Sequence, residues 1–103
     1  SHGIDSFALF FAAPLPWPVI EQAMAVLTAL RGADLLRVKG IVAVAGMRGP
    51  VVIHAVQHVA HRPVELEDWP DSDRRSRLVF ITRNLPRDTV EQLFAAVARA
   101  AAG

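Results

Sequence analysis

The sequence predicts an α+β fold: a two-layer sandwich in the order β-α-β-β-β-α, with a mostly antiparallel sheet, two helices on one face and the other face open. Three observations lead there. Two long β-rich runs within Leu35 to Ala60 flank one turn signal, Gly46-Met47-Arg48-Gly49, and read as a β-hairpin. Alternation sorts that hairpin into one apolar and one mixed face. Only two segments carry helical periodicity, so only one face of the sheet can be covered. The general look is ferredoxin-like, without the strand-helix alternation of that fold.

The elements follow in chain order. Ser6 to Phe11 is short, aromatic-rich and stopped by Pro14 and Pro16, which suits a buried strand. A helix follows, with Pro18 in the first turn, where its missing N–H costs nothing. Val19, Ile20, Ala23, Met24, Leu27 and Leu30 form its apolar stripe, Arg31 sits near its C-terminal dipole and Gly32 closes it. In the hairpin, a turn on Gly46–Gly49 sets Ala45 opposite Pro50, Val44 opposite Val51, Val42 opposite Ile53 and Val38 opposite Gln57. Leu36, Val38, Val42, Val44, Val51, Ile53, Ala55 and Val59 then share the apolar face. Arg37, Lys39, Ile41, Val52, His54, Val56 and His58 share the other. Arg62-Pro63 ends the second hairpin strand, and Val64 to Asp73 reads as an acidic loop around Trp69-Pro70. Arg75 to Arg83 returns to a strand. Asp88-Thr89-Val90-Glu91 offers a capping box for a last helix, buried along Val90, Leu93, Phe94 and Val97.

Composition narrows the function classes. The 103 residues make a single domain, 1–103, with a hydrophobic fraction of 52%. Eleven Lys and Arg against ten acidic residues leave a formal charge of +1, which gives no electrostatic case for nucleic acid or anionic membrane. The absence of cysteine removes disulfides, thiolate metal sites and thiol catalysis. No apolar run approaches the roughly 20 residues of a membrane span, and Ser1-His2-Gly3 does not open a signal peptide. A cytoplasmic protein is expected.

Candidate sites divide into histidines, the acidic loop and the mixed face. His54, His58 and His61 invite a metal, yet on a strand residues four apart are separated by roughly 13 Å, too far to share one ion. His58 and His61 would converge if the strand ends at Ala60, with Glu65 or Asp68 joining them. The loop carboxylates Asp68, Asp71 and Asp73 lack the glycine and spacing of a calcium loop. Arg74, Arg75 and Arg77 lie beside them, which favours local charge pairing. No serine occupies a nucleophile elbow and no GxxxxGK[ST] loop is present. The residues therefore support a binding or regulatory module without a catalytic set.

Several blocks in a fixed order carry a resemblance: LLRVKGIVAVAG from Leu35, PVVIHAVQHVAH from Pro50, Trp69-Pro70, DRRSRLVFITRNL from Asp73, and the opening HGIDSFALFF with PLPW. Together they resemble the C-terminal domain of CobW-type proteins over nearly the whole chain. The family-like positions are Arg37, Lys39, Gly40, His54, Gln57, His58, His61, Trp69, Arg75 and Arg77, and none is carried over as catalytic. Thr82 departs from the pattern, where many relatives have glycine. The resemblance implies full-length P-loop GTPases acting as metal chaperones in cobalamin synthesis or in zinc or cobalt homeostasis, with GTP, Mg and metal bound by an N-terminal domain. It implies that this chain is a C-terminal domain separate from that GTPase domain, with no cofactor of its own.

Two functional expectations follow. In the first, the open face presents Arg37, Lys39, Ile41, His54 and His58 to a partner: the chain's own N-terminal GTPase domain, a metal-dependent client protein, or a second copy in a homo-oligomer. The expected register sets Arg37 across from His58 and Lys39 across from Val56, so His58 should be a neutral imidazole beside fixed positive charge. In the second, the chain is a stand-alone metal-binding module using His58, His61 and loop carboxylates such as Asp68.

Overall fold

The computed structural model describes residues 3–103 and shows a six-stranded sheet with two helices on one face. The elements are β1 (Ile4–Phe11), α1 (Trp17–Arg31), β2 (Leu35–Val42), β3 (Val51–Val56), β4 (Val59–Ala60), β5 (Val64–Glu65), β6 (Ser76–Arg83) and α2 (Arg87–Ala102). The spatial order is β1-β6-β2-β3-β4, and β5 pairs with β3. Every strand pair is antiparallel. β6 returns between β1 and β2, so these two run parallel to each other and α1 is the crossover that joins them.

The core lies between the sheet and the helices. Phe80 and Leu78 of β6, Leu35 and Val38 of β2, Ile20 of α1 and Phe94 of α2 are buried there. Phe7 stacks on Phe80 with ring centroids 5.3 Å apart, and Phe11 meets Phe94 at 5.4 Å. Such aromatic pairs add to the burial they share and fix β1 against β6 and α2. Arg31, at the end of α1, bonds Asp34 through Nε at 2.9 Å and donates to the Asn84 carbonyl at 2.7 Å. One side chain thus ties the end of α1 to the turn that leads into α2.

The hairpin differs from its expected register. Val42 faces Val51, Lys39 faces His54 and Val38 faces Ala55. The turn is wider than Gly46–Gly49 because the chain from Ala43 to Ala45 leaves β3 for another partner. Leu15 N–H donates to Ala43 at 2.9 Å, Ala45 N–H donates back to Leu15 at 2.9 Å, and Ser76 Oγ accepts from Ala43 N–H at 2.9 Å. The slip is by two residues, an even number, so the side chains keep their faces while their partners change.

Other boundaries shift for local reasons. A bulge between Leu35 and Arg37 buries Leu35 where Leu36 was expected. The strand expected to reach Ala60 breaks at Gln57, whose φ of 53° turns the chain back into β4, and Val59 is exposed. Gln57 N–H donates to the Leu35 carbonyl at 2.7 Å, which holds that turn against β2. Leu30 is exposed beyond the buried stripe of α1. Gly32 is right-handed, so it does not cap the helix in the left-handed manner; it lies against the exposed His58 ring, which would have to move aside for a Cβ. The capping box of α2 does not form, since the helix begins at Arg87 after Pro86 and no side chain caps it. Thr82, the departure from the family pattern, is buried and donates its hydroxyl to the Leu85 carbonyl at 2.7 Å.

Candidate functional site: the uncovered sheet face

The face away from the helices is assembled from every second residue of four strands. β2 supplies Arg37, Lys39 and Ile41, β3 supplies Val52, His54 and Val56, β6 supplies Arg77, Val79, Ile81 and, at its end, Arg83, and β1 supplies Ile4, Ser6, Ala8 and Phe10. None of these outward positions is acidic. The register lays them out in rows: Val79, Lys39 and His54 in one, Arg77, Ile41 and Val52 in another, and Ile81 beside Arg37 in a third. Neighbouring strands lie about 4.8 Å apart, so each row brings its side chains within contact range. Arg37 and Lys39 line a shallow depression with Val79 and Ile81. Val79 is 47% exposed, which leaves an apolar floor open between two cations.

His54 and His61 extend the basic row. Their rings stack with centroids 4.6 Å apart and planes 5° from parallel, and His61 N–H donates to the His54 carbonyl at 2.9 Å. Partial burial, then the neighbouring His61, then Arg37 and Lys39, hold the His54 imidazole below its ordinary value of 6.5. His54 is therefore neutral at pH 7 and lies beside two fixed positive charges.

The sign of the pH effect follows. The unfolded chain takes up a proton at this position more readily than the folded one, so protonation favours unfolding. The contribution of His54 to stability is whole above pH 6.5 and is lost as pH falls through the lower folded value. Replacing Lys39 by glutamine should raise the midpoint of the His54 ring titration, followed by NMR. An unchanged midpoint would remove Lys39 as a cause.

At the far end of the face the charges are already matched. Asp73 accepts from Arg75 and pairs with Arg77 at 3.1 Å, and Arg77 also reaches Asp71 at 3.5 Å. The Arg75 hydrogen bonds, with help from Arg77, hold the Asp73 carboxyl well below the usual carboxylate range. Arg75 also lies 4.6 Å above the Phe10 ring. Arg75 and Arg77 of the basic cluster are thus taken up by Asp71 and Asp73, whereas Arg74, like Arg37 and Lys39, has no ion pair among the described residues.

Arg37, Lys39, Ile41 and His54 thus share one face, and His58 does not join them. It sits in the β3–β4 turn with its ring against Gly32, so the imidazole beside the cations is that of His54. The metal candidates have separate neighbours. His58 lies against Gly32, His61 on His54, and Asp68 pairs with Arg48 at 3.1 Å. Among the described residues no three His, Asp or Glu side chains stand close enough to hold one ion. The rings of His54 and His61 are 5° from parallel, so their in-plane nitrogen lone pairs lie in separate stacked planes, whereas two ligands of one ion must converge on it. Among the described residues no helix is long and apolar enough to cross a membrane.

Sequence reasoning missed Arg77, Val79 and Ile81 as part of this face, and His61 as the partner of His54. Alternation along Ser76 to Arg83 carries the signal for the first three. Their position beside β2 depends on strand order, which no local pattern encodes.

A family model described as the cobalamin synthesis protein cobW C-terminal domain matches residues 4–98. Among solved structures, the fold is similar to that of the Zn(II)-bound YjiA GTPase from E. coli, with a TM-score of 0.82 and 24% identity, covering 92% of this chain and 30% of that one. A Zn(II)-bound triple mutant of YjiA GTPase gives a TM-score of 0.82 at 24% identity. At that identity the likeness is one of fold, and this chain spans 30% of the length of each solved chain.

Proposed function

Because this chain belongs to the family of the cobalamin synthesis protein cobW C-terminal domain, we propose that it is the docking and regulatory domain of a GTP-dependent metal chaperone for zinc or cobalt. Its partner is the GTPase domain of the same protein or a metal-dependent client. The GTP and Mg chemistry belongs to the partner domain, since the 103 residues contain no phosphate-binding loop.

The observation that supports this reading is the uncovered sheet face. It offers two unpaired cations, Arg37 and Lys39, around an apolar floor and carries no acidic residue at its outward strand positions. A surface of that kind fits a partner whose carboxylates surround an apolar patch, with the charges setting register and encounter rate. The metal-module alternative draws less support, because His58, His61 and Asp68 are held by different neighbours.

Charge reversal tests the proposal. The double substitution Arg37→Glu with Lys39→Glu should leave the thermal midpoint nearly unchanged, because both side chains are exposed on the face away from the helices. It should weaken binding to the GTPase domain at least about tenfold, and more at low salt than at high. Unaltered binding by the folded double variant would place the interface elsewhere.

A further inference from the structure

The two edges of the sheet are built differently. On the β3 side the edge is broken into the two-residue strands β4 and β5, with Pro63 between them, a form that resists pairing with another chain. On the other side β1 runs unbroken for eight residues, pairs with β6 without a bulge, and contains neither proline nor lysine. Its one charge is Asp5.

The direction of its free backbone groups can be fixed. Asn84 N–H donates to the Gly3 carbonyl at 2.7 Å, one step beyond the pair Ile4 and Arg83. In an antiparallel ladder bonded and unbonded pairs alternate, so Asp5, Phe7, Leu9 and Phe11 turn their N–H and C=O towards β6. Ile4, Ser6, Ala8 and Phe10 turn theirs outward. Among the described residues no hydrogen bond from outside the ladder reaches these outward groups. Ile4 and Phe10, which flank them, are 42% and 51% exposed and lie on one face.

We propose that β1 is a homodimer edge, at which a second copy of this chain adds its own β1 antiparallel across a two-fold axis at Phe7. That register sets Ile4 opposite Phe10 of the second copy and Ser6 opposite Ala8, so the outward groups of all four residues are bonded. The same register covers each exposed Phe10 with an exposed Ile4, and no like charges fall opposite each other. A two-fold axis makes the seam self-complementary and closes the assembly at two chains. The two sheets join into one, with the cationic depressions of both copies on its single uncovered face. The pairing is independent of which partner that face takes.

The test uses the 103-residue protein. Sedimentation over a concentration series should show a species of twice 11.2 kDa that dissociates on dilution. Ala8→Pro removes an outward N–H, which an edge strand tolerates, and Ser6→Lys crowds two charges near the axis. Each should shift the dimer to monomer while circular dichroism remains unchanged. The chain has no cysteine, so register can be read by cross-linking. A mixture of Ser6→Cys and Ala8→Cys chains should form the mixed disulfide in preference to either symmetric one, because bonded pairs set their Cα atoms about 5.5 Å apart. A protein that stays monomeric at every concentration overturns the proposal. So does a dimer that survives both edge variants, or a β1 that pairs only with an extended segment of another protein.

Discussion

Replacing Gly40 by alanine or valine is expected to lower stability by about 3 kcal/mol or more, at the upper end of single substitutions. Gly40 lies in the middle of β2, where the backbone of β6 at Arg77 and Leu78 already fills the place that a Cβ would occupy. The obstacle is main chain, so no rotamer change relieves it. β2 and β6 must separate, and with them the ladder at the centre of the sheet. For a domain of this size the thermal midpoint should fall by roughly 12–24 °C. A Gly40→Ala protein that melts within a few degrees of the parent would show that β6 gives way at little cost.

Phe80→Ala should be comparably costly, at about 3–5 kcal/mol. Phe80 is fully buried on β6, an interior strand between β1 and β2, stacked on Phe7 at 5.3 Å and bordered by the side chains of both helices in one core. Truncation removes the transfer energy of the ring and leaves a cavity that two packed layers cannot close. Phe80→Leu keeps most of the volume and should lose less than half as much. Equal losses for the two would mean that the specific Phe7 stack, rather than the filled volume, supplies the stability.

These substitutions bear on what could be read from residues alone. The periods of Val19 to Leu27, of Ser76 to Arg83 and of Val90 to Val97 are written along single elements, so they give the elements and their buried faces. Face assignment in the hairpin survived a register error because the slip was by two residues. What was not legible depends on contacts distant in sequence. Leu15 draws Ala43 and Ala45 away from β3, and nothing near the Gly46–Gly49 turn signal marks that competitor. Gln57 enters the left-handed region and reverses the chain, which moved His58 off the open face and brought His61 beside His54. Gly40 is held to glycine by the backbone of β6, and Gly32 lies against the ring of His58, relations that only the fold supplies.

Lys39 is the sole lysine in the sequence, and it stands on the open face beside Arg37 and His54. Its rate of acylation, read by mass spectrometry, therefore reports on that surface alone, apart from the terminal amine. The decisive measurement compares this rate in the 103-residue protein and in the same protein saturated with the GTPase domain. If the open face is the docking surface, Lys39 is modified at least about tenfold more slowly in the complex. If Lys39 reacts equally fast in a complex shown by sedimentation to be fully formed, the docking surface lies elsewhere on the molecule.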